Sequence, residues 1–178
     1  NYIQEAVEKI ALLQDLALQW HCIGPIQSNK TRLVATHFDW AHTVDRLKIA
    51  QRLSEQRPDG LAPLQVCIQV NIDGGATKAG VAPDEALALA REVARLPRLA
   101  LRGLMTIPEP AADPAAQRAV HEKARDLFDA LRAQGLALDT LSMGMTADLE
   151  AAIAAGSTLV RVGTAIFGGR PYGAATAA

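Results

Sequence analysis

Hydrophobic positions along this chain fall into two alternating patterns. Short, nearly solid apolar blocks stand at 20–26 (WHCIGPI), 38–44 (FDWAHTV), 64–72 (LQVCIQVNI), 99–107 (LALRGLMTI), 140–145 (TLSMGM) and 158–168 (TLVRVGTAIFG). Apolar runs of this length, bounded by turn residues, predict strands buried on both faces. Between them lie stretches whose apolar residues recur every three or four positions, the helical period. These are 3–17, 28–37, 45–56, 83–96, 114–135 and 147–156. Their ends are punctuated accordingly. Ser28 and Asp45 are candidate N-caps, and Pro83 with two acids after it marks a first helical turn. Gly135 and Gly156 are placed to stop the helices before them.

Six strands, each with a neighbouring helix and with no hairpin signal, imply a parallel sheet with right-handed crossovers. Two α/β closures compete: an open doubly wound sheet, or a (β/α)8 TIM-type barrel lacking two of its units. No G-x-G-x-x-G follows a strand, which weakens the dinucleotide-binding version and favours the barrel. The chain opens at Asn1-Tyr2, without a methionine, and runs at once into a helical pattern. The expectation is that a segment precedes it.

Composition narrows the function classes. The 178 residues are 49% hydrophobic and 21% charged, within the range of a globular domain. A net charge of -1 offers no electrostatic footprint for nucleic acid, and the scattered basic residues give no membrane-binding patch. No apolar run approaches the roughly 18 residues of a membrane span, and no signal peptide is visible. Cys22 and Cys67 sit in apolar runs and read as buried, reduced thiols, which suits the cytoplasm. No His/Cys spacing suggests a metal site.

In parallel α/β architectures the reactive groups collect at the C-terminal ends of the strands. Those ends carry His21, Gln27 and Ser28; His42, Thr43 and Asp45; Asn71 and Asp73; Met105, Thr106 and Pro108; Ser142 to Thr146; and Arg161, Gly163 and Thr164. No Ser-His-Asp spacing and no paired carboxylates stand among them. The set is rich in hydroxyls, amides and glycines, the donors that suit a phosphate. Thr146 is expected to begin a helix, so that free N–H groups face an anion, with Gly163 and Thr164 adding backbone donors. An ordinary N-cap and a packing glycine explain the same residues equally well. Arg161 within an apolar strand tips the balance, since a buried arginine costs several kcal/mol unless paired. It serves either a structural ion pair or a ligand acceptor such as a ring nitrogen.

At 142–146 and 160–168 the sequence resembles the pyridoxal-phosphate homeostasis proteins, whose fold is like the barrel domain of alanine racemase. The likeness also runs through NYIQEAVEKI, WHCIGPIQSNK, FDWAHTVDR, LRGLMTIP and SMGMTADLEAAIAAGST. The resemblance implies a single barrel over residues 1–172, with 173–178 as a tail, holding pyridoxal 5'-phosphate at its mouth. Thr146 and the backbones of Gly163 and Thr164 would take the phosphate, with Ser142 and Met145 beside them. Arg161 would face the pyridine nitrogen, and Asn1 and His21 would line the ring. The family's Schiff-base lysine lies on the first barrel strand, upstream of residue 1. None of Lys9, Lys30, Lys48, Lys78 and Lys123 reads as an inward strand lysine, Lys78 being the least unsuitable.

The resemblance further implies storage or delivery of the cofactor without catalytic turnover and so no catalytic residue, with pyridoxal-phosphate-dependent apoenzymes as partners and a monomer as the simplest state. The alternative is a racemase-like enzyme using the same cofactor. Such an enzyme of the alanine type takes its second base from a separate β-domain, for which the stretch after residue 168 is too short. A barrel acting on sugar phosphates would reuse the anion site, but its acid/base residues are not found.

Overall fold

Each apolar block forms a strand, and each strand runs parallel to the next. The computed structural model describes residues 2–75, 78–111 and 113–169. Its strands are β1 (His21–Cys22), β2 (Trp40–Val44), β3 (Leu64–Gln69), β4 (Leu99–Met105), β5 (Thr140–Met145) and β6 (Leu159–Arg161). The helices are α1 (Ile3–Leu12), α2 (Thr31–His37), α3 (Leu47–Gln56), α4 (Ala86–Ala94), α5 (Pro114–Ala133), α6 (Leu149–Ala154) and α7 (Thr164–Phe167).

The strands lie in chain order from β1 to β6, with no reversal. A doubly wound sheet requires a reversal at its switch point, so this is the order of a barrel. Among the described residues β1 and β6 do not pair with each other, and the sheet is a half-barrel.

Alternation along the strands gives each face its character. One face sends Ala41, Val66, Ile68, Leu104, Leu141 and Met143 into the main core, which also holds Val34, Ile49, Leu53, Val93 and Phe128 from the helices. Burial contributes roughly 1.5–3 kcal/mol per large aliphatic side chain, so fully buried Ile49, Leu53, Ile68, Leu104 and Leu141 hold this layer together. A second, smaller cluster gathers Trp40, Cys67 and Met105 with Ile107. Two positions on from Trp40, at the same strand face, comes His42.

Two glycines permit the close geometry of β5. A Cβ at Gly103 would run into the Thr140 carbonyl, so β4 can approach β5 only with glycine there. Gly144 has φ +91 and lies where the β5–β6 register shifts, between Ser142 and Met145. A side chain there would be strained and would meet Ala152 of α6. The result places Met145 opposite Arg161, so β5 and β6 end level, while β4 ends at Met105 opposite Ser142.

Several boundaries differ from the sequence pattern. The last strand stops at Arg161 rather than running to 168, because Val162 and Gly163 turn the chain into α7. Thr146 does not begin a helix: it sits in a turn, and Asp148 holds the N-cap position of α6. The Asp148 carboxylate instead accepts the Met145 N–H at 2.6 Å, closing that turn. Asp45 does not cap α3, since its carboxylate pairs with the Arg46 guanidinium at 2.7 Å and Arg46 holds the cap position. Ser28 starts a 3-10 turn ahead of α2, its carbonyl accepting the Thr31 hydroxyl. Pro83 and the acids after it precede α4 as a turn, where Glu85 accepts the Ala82 N–H.

Candidate functional site

The strand ends meet in a chain of side-chain hydrogen bonds crossing the inner face of the half-barrel. His21 Nδ1 on β1 lies 2.9 Å from His42 Nε2 on β2. His42 Nδ1 lies 2.9 Å from the Ser142 hydroxyl on β5, a contact between residues 100 apart in sequence. Arg161 on β6 donates from Nη1 to the Ser142 hydroxyl and from Nη2 to the Thr106 carbonyl just past β4, each at 2.8 Å. Trp40 closes one side, stacked on His21 with 5.2 Å between centroids and 7° between planes.

Burial governs the charge states. His42 is wholly buried and its pKa is pushed down to about 3, with His21 and Arg161 nearby acting in the same direction. His21 is held below the usual histidine value by burial, opposed by the Asp39 charge. Both imidazoles are therefore neutral at physiological pH. Burial also lowers the pKa of Arg161, partly offset by the Asp148 charge, but arginine stays protonated at any accessible pH.

Arg161 is the unusual group. It is only 8% exposed, yet among the described residues no carboxylate lies within salt-bridge distance. Buried Arg57 makes the contrast. Its Nε, Nη1 and Nη2 donate to the carbonyls of Ala35, Phe38 and Ala62, so every arm of its fork is engaged. Among the described residues Arg161 spends donors on Ser142 and Thr106 alone and keeps others in reserve. The Thr106 hydroxyl beside it is buried and takes no partner among the described residues.

The second part of the site is the pair of turns following β5 and β6. Thr146 is exposed, and its hydroxyl accepts the Ala165 N–H at 3.3 Å, tying the first turn to the start of α7. Gly163 and Thr164, also exposed, open α7, whose first N–H groups have no intrahelical acceptor. A Cβ at Gly163 would meet nothing within 4 Å, so open space lies over that backbone. Behind the first turn, His121 on α5 is fully buried and bonds Asp148 through Nε2 at 2.9 Å.

The sequence-derived candidates thus fall into two groups. Met145, Thr146, Gly163 and Thr164 form the exposed turns, while His21, Ser142 and Arg161 belong to the inner chain. Ser142, expected beside the phosphate, is buried with its hydroxyl committed to Arg161 and His42. Asn1 lies outside the described residues. His42 and Thr106 were visible at strand ends but carried no assigned role. The two-residue spacing from Trp40 to His42 on one strand face was the signal for the first; nothing local marked the second. None of the five lysines lies on a strand. Lys78 bridges the loops after β3 and β4, its ammonium 3.3 Å from Glu109 and 3.5 Å from the Pro108 carbonyl.

Comparison with known proteins converges on one group. The family model for the N-terminal domain of alanine racemase matches residues 1–171. The chain is 63% identical over 174 residues to the pyridoxal phosphate homeostasis protein of Pseudomonas aeruginosa, covering 98% of this chain and 74% of that one. It is 57% identical over 176 residues to the protein of that name from Vibrio cholerae, covering 97% and 75% respectively. Among solved structures it is similar to PipY of Synechococcus elongatus, determined with PLP bound. The TM-score is 0.84 at 38% identity, covering 94% of this chain and 79% of PipY.

Proposed function

The chain belongs to the pyridoxal phosphate homeostasis proteins, and we propose that it binds pyridoxal 5'-phosphate at the ends of β5 and β6 and serves the intracellular storage or delivery of that cofactor. The observation that carries this reading is Arg161: a buried cation that among the described residues has no carboxylate partner and has donors to spare, beside two turns that present backbone N–H groups.

The donor set fits the cofactor's two recognition features. For the phosphate there are the Thr146 hydroxyl and the backbone N–H groups of Gly163 and Thr164. Met145 ends β5 where the same turn begins. For the pyridine ring there are Arg161 toward the nitrogen and His21, with Trp40 stacked behind it. When bound, pyridoxal phosphate supplies an electron-withdrawing ring whose strength as an electron sink rises when its nitrogen is protonated. A guanidinium only donates, so Arg161 stabilises the unprotonated nitrogen and keeps that sink weak. The five lysines do not fit the covalent anchor, because they lie on helices, turns or loops away from the strands. That anchor is proposed to lie upstream of residue 1, on a strand preceding α1.

Holding the ring nitrogen unprotonated suits a carrier better than an enzyme. The neutral histidine pair points the same way, as neither ring gains a proton readily near pH 7. No turnover is therefore proposed; the racemase-like reading is the competing outcome. Incubating the protein with pyridoxal phosphate, removing the excess and recording the absorbance of the retained cofactor tests binding. Following α-proton exchange of added amino acids in deuterated buffer tests the enzyme reading. Rates of about 1 per second or faster, within the enzymatic range, would replace storage by catalysis.

A further inference from the structure

The hydrogen-bond chain on the inner face has a direction, and Arg161 sets it. Arg161 can only donate, so the Ser142 oxygen accepts from Nη1. The Ser142 proton then needs an acceptor, and among the described residues His42 Nδ1 at 2.9 Å is the one side-chain acceptor within hydrogen-bond distance. A neutral imidazole carries a single N–H. With Nδ1 accepting, the His42 proton sits on Nε2 and points at His21 Nδ1, 2.9 Å away. That nitrogen must accept, which leaves the His21 proton on Nε2. Among the described residues His21 Nε2 has no partner, and the ring is only half-buried. Stacking on Trp40 fixes its plane.

We propose that Arg161, Ser142 and His42 form a directed relay that locks His21 as a single-tautomer donor, presenting Nε2–H to an oxygen acceptor on a ring substituent of the bound ligand. His42 is then a positioning residue: it touches no ligand but decides which atom of His21 does. His21 becomes a specificity residue, favouring a ring that bears an acceptor oxygen over one that bears a donor. The ligand half of this rests on the cofactor reading above; the direction of the relay does not.

The test separates the two. In the ligand-free protein, heteronuclear NMR of the imidazoles should find both His21 and His42 protonated on Nε2. A proton on Nδ1 of either ring overturns the relay. Ser142→Ala should release His42 into a mixture of tautomers; an unchanged tautomer would mean that Arg161 does not set the direction. His42→Gln keeps an acceptor toward Ser142 and a donor toward His21, so it should keep His21 in the Nε2–H form. His42→Leu fills similar space without either group and should lose that bias. Pyridoxal phosphate affinity should fall about tenfold in His42→Leu, the size of one ordinary hydrogen bond, and stay near wild type in His42→Gln. Equal losses in the two variants would reduce His42 to a packing role. Should wild type fail to bind pyridoxal phosphate, the cofactor reading falls, while the tautomers of the free protein still decide the relay.

Discussion

Replacing Arg161 by Met removes the guanidinium while keeping a flexible side chain of comparable length. The fold loses two hydrogen bonds, to the Ser142 hydroxyl and the Thr106 carbonyl. Bonds to a charged group contribute roughly 1.5–3 kcal/mol each. Against that stands the desolvation of a cation only 8% exposed and unpaired by any described carboxylate, a penalty of several kcal/mol that the thioether does not carry. The two contributions oppose each other, so net stability should change by no more than about 2 kcal/mol in either direction. Binding has no such offset. Loss of a charge-assisted bond to the ring nitrogen should weaken pyridoxal phosphate by roughly 10- to 150-fold. The assay pairs chemical denaturation of the ligand-free protein with equilibrium titration by cofactor absorbance. Wild-type affinity together with a destabilisation beyond about 3 kcal/mol, the signature of a broken buried network, would make Arg161 a structural residue and refute the reasoning. Arg161→Glu supplies the chemical counterpart. The ring nitrogen should then take a proton, visible as an altered pH dependence of the bound cofactor's absorbance.

Three further outcomes are expected. Thr146→Leu should weaken cofactor retention at nearly unchanged stability, within about 0.5 kcal/mol, because the residue is exposed; unchanged affinity on titration would remove Thr146 from the phosphate site. His42 has a folded pKa of about 3 against 6.5 for the ordinary group, so the unfolded chain binds more protons between those values. Its contribution is complete above pH 6.5 and is lost as pH falls toward 3, by up to about 1.4 kcal/mol per pH unit; denaturation midpoints of His42→Gln should fall less steeply over this window than those of wild type. Gly103→Ala should destabilise by at least about 1–3 kcal/mol, since its Cβ would strike the Thr140 carbonyl; a wild-type denaturation midpoint would contradict the close approach of β4 and β5.

The order of elements was legible because two periods, solid apolar blocks and helical spacing, alternate along the whole chain. Every apolar block contains a strand, and chain order alone decides barrel against doubly wound sheet. Boundaries were less legible where side chains had competing partners. Asp45 reads as a cap, but Arg46 is adjacent and takes its carboxylate. Residues 158–168 read as one strand, although backbone turning at Val162 and Gly163 is a tertiary matter that apolar composition does not encode. The exposed half of the site was nameable from its donors. In the inner half His21, Ser142 and Arg161 could be named from their strand ends but their connection could not, because the His42–Ser142 contact joins β2 to β5, which are not neighbours in the sheet.

The two buried arginines show why residue type alone could not assign the site. Arg57 stands in a polar stretch, SEQRPDG. It is 4% exposed, and the carbonyls of Ala35, Phe38 and Ala62 engage all three nitrogens of its fork. Such an arginine closes loops and the end of α2, with four of its five N–H donors committed to backbone. Arg161 stands in an apolar strand and is buried to a similar degree, but among the described residues only a hydroxyl and one carbonyl receive its protons. The difference is unspent donor capacity in a place where water is scarce. An enzyme that needed a protonated pyridine would gain from a carboxylate here, and none of the described residues supplies one within salt-bridge distance. A donor-only cation beside two neutral imidazoles instead favours a ligand offering lone pairs and retaining them, which supports the proposal that the protein holds the cofactor.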